Sequence, residues 1–500
     1  MAQKPFYITT TLPYVNADPH IGFALEIVHA DIQARYQQLV RGRENVFFNT
    51  GTDEHGQKIF QKANEQGQDV QAYVDYYAGQ FRKLKEGLGL SDDLVFIRTT
   101  DEKHIKAAQE MWRRCAANVD EQGNPDIYKK KYKGLYCVGD EMFLKEGDLI
   151  GGKCPNHPNM EPVEIEEENW FFRLSRYQSQ LLTYLSNASV VLPDWRREEA
   201  IKFVEGGLED FSISRETARM SWGIPVPGDE SQVMYVWFDA LTNYISTLDW
   251  PSSAEASAGE PASEGLFEKF WVNGETVQVA GKDQVRFQSV MWQAMLMSAK
   301  LPQTQKVVYH GFITSGGQKM SKSLGNVIEP FAIVQEYGVD ALRYYLARHI
   351  SPFEDSDFTM ERFKELYNAD LANGLGNLAA RIMTMTAAHF ATSVEIIGAV
   401  KNDSSVAQYV SDFELNKAMD AIWTRIGHCD AMITLEKPFT GVKSNDEQEK
   451  QKALEIIQKL ARELHAIASD LAPFMPTTSE KILTAIRENK KPENLFPRKE

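Results

Sequence analysis

The sequence predicts an α/β fold, a doubly wound sheet that carries an insertion and is followed by an all-α bundle. Three observations predict it. Phe6 to Thr10 is short, apolar and β-branched, with Pro13 just beyond, and reads as a buried strand. The next stretch places Ile21, Leu25, Val28, Ile32, Tyr36 and Leu39 three and four residues apart, the stripe of a long amphipathic helix. Val46-Phe47-Phe48 then reads as a second strand. Strand, helix, strand opens a doubly wound sheet, whose ligands lie beyond the carboxyl ends of the strands.

Two loops fall at those ends: Leu12-Pro13-Tyr14-Val15-Asn16, running into His20-Ile21-Gly22-Phe23, and Gly51-Thr52-Asp53-Glu54-His55-Gly56. From about residue 120 to 230 the α/β pattern is interrupted. Within this insertion Cys137-Val138-Gly139-Asp140 and Cys154-Pro155-Asn156-His157 have the paired knuckle spacing of a structural zinc site. Structural sites favour cysteine and histidine, so Asp140 keeps two readings open, a zinc knuckle and a metal-free one. The acidic run Glu164 to Glu168 reads as a solvated face. Pro251 to Glu264, rich in Ser, Ala, Gly and Pro, reads as a surface loop. Strand character returns at Val277-Gln278-Val279-Ala280 and at Val307-Val308-Tyr309-His310. A helical stretch runs through Asp340 to Leu346. From Glu361 onward the pattern is helical, with Leu454, Ile457, Leu460, Leu464 and Ile467 on one face, and predicts an antiparallel bundle of four or five helices.

At 500 residues and 43% hydrophobic the chain has ample core for about three domains. No run of eighteen apolar residues crosses a membrane and the N-terminus does not read as a signal peptide, so the expectation is cytoplasmic. Four cysteines cannot frame a chain of this length with disulfides; Cys115 and Cys429, in helical patterns, read as buried thiols. A net charge of −16 argues against a broad nucleic-acid coat and leaves room for a nucleic acid on a limited face. The basic clusters Lys129 to Lys133 and Arg196-Arg197 read as solvated surface.

Gly316-Gly317-Gln318-Lys319-Met320-Ser321-Lys322-Ser323 is the most chemical stretch. Glycine lets the backbone take positive φ near a ligand. Lys319 and Lys322 are mobile point charges that can follow a phosphate, which suits a triphosphate whose charge shifts during reaction.

Taken with His20-Ile21-Gly22-Phe23, the string Lys319-Met320-Ser321-Lys322-Ser323 resembles the paired signature motifs of class I aminoacyl-tRNA synthetases. Leu12-Pro13-Tyr14-Val15-Asn16, Gly51 to Gly56, Glu168 to Ser175, Ile224-Pro225-Val226-Pro227, Tyr235 to Tyr244, Gly281-Lys282-Asp283 and His310-Gly311 resemble the methionyl-tRNA synthetases in particular, over essentially the full length. The resemblance implies a Rossmann-type catalytic core in two halves, 1–119 and 233–326, split by a connective insertion, 120–232. A linking domain, 327–360, and a helical anticodon-binding domain, 361–500, follow. The insertion is short beside the editing insertions of synthetases for branched aliphatic residues.

The implied reaction joins methionine to ATP, with Mg2+, and then passes the methionyl group to tRNA(Met), initiator and elongator. His20, Lys319 and Lys322 are implied as catalytic. ATP falls to His20, Gly22, Phe23, Gly281, Asp283, Lys319, Ser321 and Lys322, with Asp283 at the ribose. Methionine falls to Leu12, Tyr14, Trp237, Tyr244 and Gln288, with Asp53 on its ammonium. The anticodon falls to Asn377, Arg381 and Phe439. Zinc, where bound, falls to Cys137, Asp140, Cys154 and His157. The chain departs from the family at Phe23, where a second histidine is common, and at Gln284 and Gln288, where an apolar residue and a histidine are common. No dimerising module follows the last helix, which implies a monomer.

Overall fold

The computed structural model describes residues 3–138, 142–144, 147, 149–155, 159–251, 265–320, 325–393 and 404–499. They form two units: Met1–Pro19, Arg41–Lys85 and Asp92–Tyr309 in the first; His20–Val40, Glu86–Ser91 and His310–Glu500 in the second. Asp140, His157, Ser321, Lys322 and the stretch 252–264 lie outside the described residues.

The strands in chain order are β1 (Phe6–Thr9), β2 (Val46–Thr52), β3 (Leu94–Arg98), β4 (Ile127–Cys137), β5 (Met142–Leu144), β6 (Val163–Phe172), β7 (Val191–Leu192), β8 (Phe211–Ser212), β9 (Ser214–Glu216), β10 (Pro225–Val226), β11 (Asp229–Met234), β12 (Glu275–Gly281), β13 (Lys306–His310), β14 (Ile313–Ser315), β15 (Gln318–Lys319) and β16 (Ser356–Asp357). The main sheet of the first unit has the order β3-β2-β1-β12-β13-β7. β1 runs parallel to both β2 and β12, and β2 to β3. Order reverses across β1, with β2 on one side and β12 on the other, so the loops leaving these three strands share one edge. β1 is buried along its whole length, as a central strand covered on both faces must be. Tyr7, Trp112, Phe238, Trp271 and Trp292 belong to the core beneath it.

The insertion folds as the antiparallel sheet β5-β4-β6-β8 and a smaller sheet β10-β11-β9. Lys129, Lys130, Lys131 and Lys133 and Glu164, Glu166 and Glu168 are exposed as the solvated-surface reading expects, with Glu167 the exception, and the register adds that the two runs face each other. β4 and β6 pair so that Lys131 stands opposite Glu168 and Lys133 opposite Glu166. Lys133 reaches Glu164 at 2.7 Å. Opposite charges facing across a ladder stabilise the pairing. Glu167 is buried and accepts from Asn169 at 2.8 Å and from Arg219. Arg196 and Arg197 are likewise engaged within their own helix, by Glu199 and Asp194.

In the second unit the helix Ile21–Arg41 buries Ile21, Leu25, Val28 and Ile32 as the stripe predicts. The stripe fails at its end, where Leu39 is 63% exposed. Leu39 shares the azimuth of Ile21 five turns on, so its exposure marks the last turn running past the elements that cover the first. The helix Val339–Arg348 leads to a bundle of Asn377–His389, Ser404–Ser411, Leu415–Glu436, Glu447–Leu471 and Pro476–Glu488. Ile457, Leu460, Leu464 and Ile467 are buried, and Leu454 only partly. Cys115 and Cys429 are buried thiols, each pushed up to about 12 by burial. Among the described residues no helix is long and apolar enough to cross a membrane.

Candidate functional site

In the first unit the segments leaving β1, β2 and β12 carry polar and aromatic side chains at the carboxyl edge of the sheet. β1 passes into Leu12–Tyr14 and β2 into Asp53, and the two segments continue as a parallel bridge between Tyr14 and Asp53. Asp53 N–H donates to the Pro13 carbonyl at 3.0 Å, and Val15 N–H to the Asp53 carbonyl at 3.3 Å. The Asp53 backbone is thus fixed on both sides, and its carboxylate is held in a buried position, 3% exposed. A cation recognised here meets a charge with little freedom to turn away.

The next loop residue anchors the turn. The buried Glu54 carboxylate receives Arg98 in two bonds, 2.6 and 2.7 Å, together with the hydroxyls of Thr52 and Thr100 at 2.6 Å each. Trp222 donates its indole N–H to the Glu54 carbonyl at 2.6 Å. His55 then reaches Asp239 at 2.7 Å, and His104 takes the other Asp239 oxygen at 2.7 Å. Burial pushes the Asp239 carboxyl up, and the two imidazoles outweigh it, so the group sits below its ordinary value. His104 completes the chain on Ser246 at 2.9 Å. Sequence reasoning missed this network. Asp239 lay inside a quoted motif, whereas nothing in the sequence marks His104 as its partner.

Gln288 and Tyr244 form a second pair. The Gln288 amide donates to the Tyr244 hydroxyl, and Tyr7 holds the Tyr244 carbonyl at 2.8 Å. The Gln288 carbonyl oxygen is buried with no hydrogen bond among the described residues, which leaves it able to accept from a ligand. Trp237, half-buried, stacks on Phe287 with centroids 3.7 Å apart and planes 10° apart. Leu12 is half-buried. β12 ends at Gly281, and the short turn Lys282–Gln284 leaves the Asp283 carboxylate exposed, with the Gln284 amide donating to it at 3.2 Å.

The second unit carries the described part of both signature motifs. Gly22 N–H donates to His20 Nδ1 at 3.0 Å. That bond makes Nδ1 the acceptor and leaves the proton on Nε2, available to a ligand. Burial holds the His20 pKa below its ordinary value, which keeps the ring neutral. Phe23 lies 5.0 Å from the imidazole, ring centre to ring centre, and so puts a hydrocarbon face beside His20.

β14 and β15 pair Ser315 with Gln318 and Thr314 with Lys319, closing a hairpin on two glycines. Gly316 and Gly317 have φ of +61° and +74°, which a two-residue turn of this twist requires at both positions. Asp357 pins the turn, accepting from Gly317 N–H at 2.8 Å and from Thr314 at 2.7 Å. Lys319 is exposed, its ammonium 5.5 Å above the Phe312 ring, within cation–π range. Ser321 and Lys322 lie beyond the described residues.

In the bundle Asn377 is exposed at the start of its helix, and Arg381, one turn on, is ion-paired to Asp430. Phe439 is 47% exposed, a free apolar face for a large residue. In the insertion Cys137 and Cys154 are buried with Leu144 in a small cluster. Among the described residues no group of three or more His, Cys, Asp or Glu is placed to hold a metal.

Comparisons agree over nearly the whole chain. The family model described as tRNA synthetases class I (M) matches residues 6–163 and 158–383. The methionine–tRNA ligase of Brucella suis biovar 1 (strain 1330) is 39% identical over 500 residues, covering 97% of this chain and 92% of that protein. The methionine–tRNA ligase of Thermotoga maritima is 40% identical over 506 residues, covering 97% of this chain and 76% of that protein. Among solved structures, Mycobacterium tuberculosis methionyl-tRNA synthetase in complex with methionyl-adenylate superposes with a TM-score of 0.88 at 34% identity, covering 99% of this chain and 100% of that one.

Proposed function

The chain belongs to the methionine–tRNA ligase family of class I tRNA synthetases, and we propose on that premise that it makes methionyl-tRNA(Met), initiator and elongator, in two steps. The observation that carries this reading is the match to methionine–tRNA ligases along 97% of the chain. The buried Asp53 carboxylate held beside Tyr14 supports it, because an amino-acid substrate brings an ammonium that needs such a partner.

In the first step the methionine carboxylate attacks the α-phosphorus of ATP and pyrophosphate leaves. Asp53 takes the ammonium. Leu12, Tyr14, Trp237 and Tyr244 offer the thioether aromatic and aliphatic walls, which suit a polarisable, flexible side chain. Gln288 offers the buried carbonyl as a polar contact. His20, neutral with its proton on Nε2, donates to the triphosphate, with Gly22 and Phe23 beside it. Gly281 and Asp283 take the nucleoside end, Asp283 on the ribose hydroxyls. Lys319, Ser321 and Lys322 follow the departing pyrophosphate. Positioning and electrostatic stabilisation account for the acceleration without a covalent enzyme intermediate. Mg2+ accompanies the ATP phosphates, which are its usual ligands.

In the second step the 2′-hydroxyl of the terminal tRNA adenosine attacks the activated carbonyl and AMP leaves. Asn377, Arg381 and Phe439 read the anticodon, the first two by hydrogen bonds and the last by stacking. Arg381 must exchange Asp430 for a base, so Asp430 keeps the site neutral while it is unoccupied by tRNA. Methionine-dependent ATP–pyrophosphate exchange tests the reading: exchange with methionine supports it, exchange with valine or isoleucine moves the specificity, and none with any amino acid removes it.

A further inference from the structure

Both ring nitrogens of His310 face acceptors. Nδ1 lies 2.8 Å from the Gly311 carbonyl oxygen and Nε2 lies 2.8 Å from Glu26 Oε2. A carbonyl can only accept, so Nδ1 carries a proton; a carboxylate accepts as well, so Nε2 carries another. The ring is then an imidazolium and the pair is an ion pair. Its side chains are 9% and 7% exposed, and a buried charge is kept where it is paired and hydrogen-bonded. The neighbouring His29 is of the opposite kind. It takes the Leu346 carbonyl at 2.9 Å, and burial, with the His310 charge adding to it, lowers it to about 4, so it stays neutral.

The places of the two partners give the pair its meaning. Glu26 stands on the second turn of the helix that His20 opens. His310 ends β13, immediately before the hairpin that carries Lys319. Gly311 is wedged against the backbone of the following segment: a Cβ there would lie 2.1 Å from the Glu354 carbonyl carbon. Phe312 N–H donates to Asp355 at 2.9 Å, and Ser356 N–H to the Phe312 carbonyl at 3.0 Å. On the far side of the lysine segment, Ile21 N–H donates to the Ile328 carbonyl at 3.0 Å. The chain therefore leaves and re-enters the first turns of one helix, at Glu26 through His310 and at Ile21 through Ile328.

We propose that the His310–Glu26 ion pair is a positioning device that sets the Lys319 hairpin in one frame with His20, so that the two motifs meet the same phosphate chain. Neither residue touches the reacting atoms. The inference rests on the aminoacyl-adenylate reading above, and pairs kcat for adenylate formation with this link while leaving methionine recognition to the first unit.

The full chain tests it. Glu26→Gln and His310→Gln should each lower kcat of methionine-dependent ATP–pyrophosphate exchange by about tenfold or more with the methionine KM within about twofold. The double variant should be no worse than the poorer single, because either change breaks the same link. Exchange within twofold of the unmodified enzyme, multiplying losses, or kcat and methionine KM moving together would each overturn the proposal. Should a variant fail to fold, 15N shifts of the histidine rings in the unmodified protein decide: two protonated nitrogens on His310 at pH 7 support the pair, and a neutral ring overturns it. Absence of exchange in the unmodified protein would remove the adenylate reading instead, which the 15N measurement does not depend on.

Discussion

Arg343 and Asp31 form an ion pair at 2.7 Å in which neither side chain has any exposure. Three more guanidinium N–H groups donate to the carbonyls of Phe474 at 2.8 Å, Pro473 at 2.9 Å and Leu88 at 3.2 Å. Asp31 also receives Arg35 at 2.7 Å and Ser91 N–H at 2.6 Å. One cation thus ties the helix Ile21–Arg41, the segment before Ser91, and the entry to the last bundle helix. Asp31 keeps Arg35 and Ser91 N–H when Arg343 is removed. The cost therefore comes mainly from the unmet carbonyls of Leu88, Pro473 and Phe474 and from the lost pair, about 3 kcal/mol, the lower end for breaking a buried pair. Arg343→Met should lower the unfolding free energy of the cooperative unit by that amount in a denaturant titration. Arg343→Lys should recover less than half, because an ammonium cannot reproduce the fork. A loss below about 1 kcal/mol would show that the three carbonyls and Asp31 find other partners.

How much of this was legible in the sequence depends on the range of the signal. β1, β2 and the helix between them announce themselves by local period, and Ile21, Leu25, Val28 and Ile32 are buried as that period requires. Tyr14, Asp53 and the glycines of the lysine hairpin were visible as short strings with a chemical sense. The structure supplies the reason for Gly316 and Gly317, a two-residue turn. The pairings were not legible. His104 meets Asp239 135 residues away, Arg343 meets Asp31 312 away and His310 meets Glu26 284 away. Each is set by tertiary packing, which local pattern does not encode. The charge runs 129–133 and 164–168 show the same limit, since only the ladder register reveals them as partners.

His29 makes stability fall on the acid side. Its folded pKa, about 4, lies below the ordinary value of 6.5, so the unfolded chain binds the proton more readily between those values. Stability therefore rises with pH in that window and is lost as pH falls from 6.5 toward 4. For one such group the loss from pH 7 to pH 5 is about 2 kcal/mol. Comparing denaturant midpoints of the unmodified chain and His29→Gln at the two pH values isolates it. The variant should show the smaller acid loss, and equal losses would put the acid sensitivity elsewhere.

Gln288 should matter for methionine and not for ATP. Its amide holds the Tyr244 hydroxyl and its carbonyl is a buried acceptor. Gln288→Leu removes both functions, and an unmet buried polar group costs about 1–3 kcal/mol. The methionine KM should rise by about tenfold or more, with the ATP KM within about twofold. A rise confined to ATP would place Gln288 outside the amino-acid pocket.

Phe23 and Lys322 should trade off. A donor aimed at developing charge contributes roughly 2.7–4 kcal/mol in an oxyanion-type site, and phenylalanine has none to offer. Phe23 nevertheless lies 5.0 Å from the His20 ring, where a donor on the same scaffold would face the same anion. Phe23→His should raise the exchange kcat by about tenfold or more while the methionine KM stays within about twofold. If the lysine segment bears more of the charge where the first motif lacks a donor, Lys322→Ala should cost on the order of 1000-fold in kcat. In the Phe23→His background the same lysine change should cost less, because the new imidazole shares the load. Equal losses in the two backgrounds would mean that residue 23 and Lys322 act independently, and an unchanged exchange rate in Phe23→His would show Phe23 to be catalytically silent.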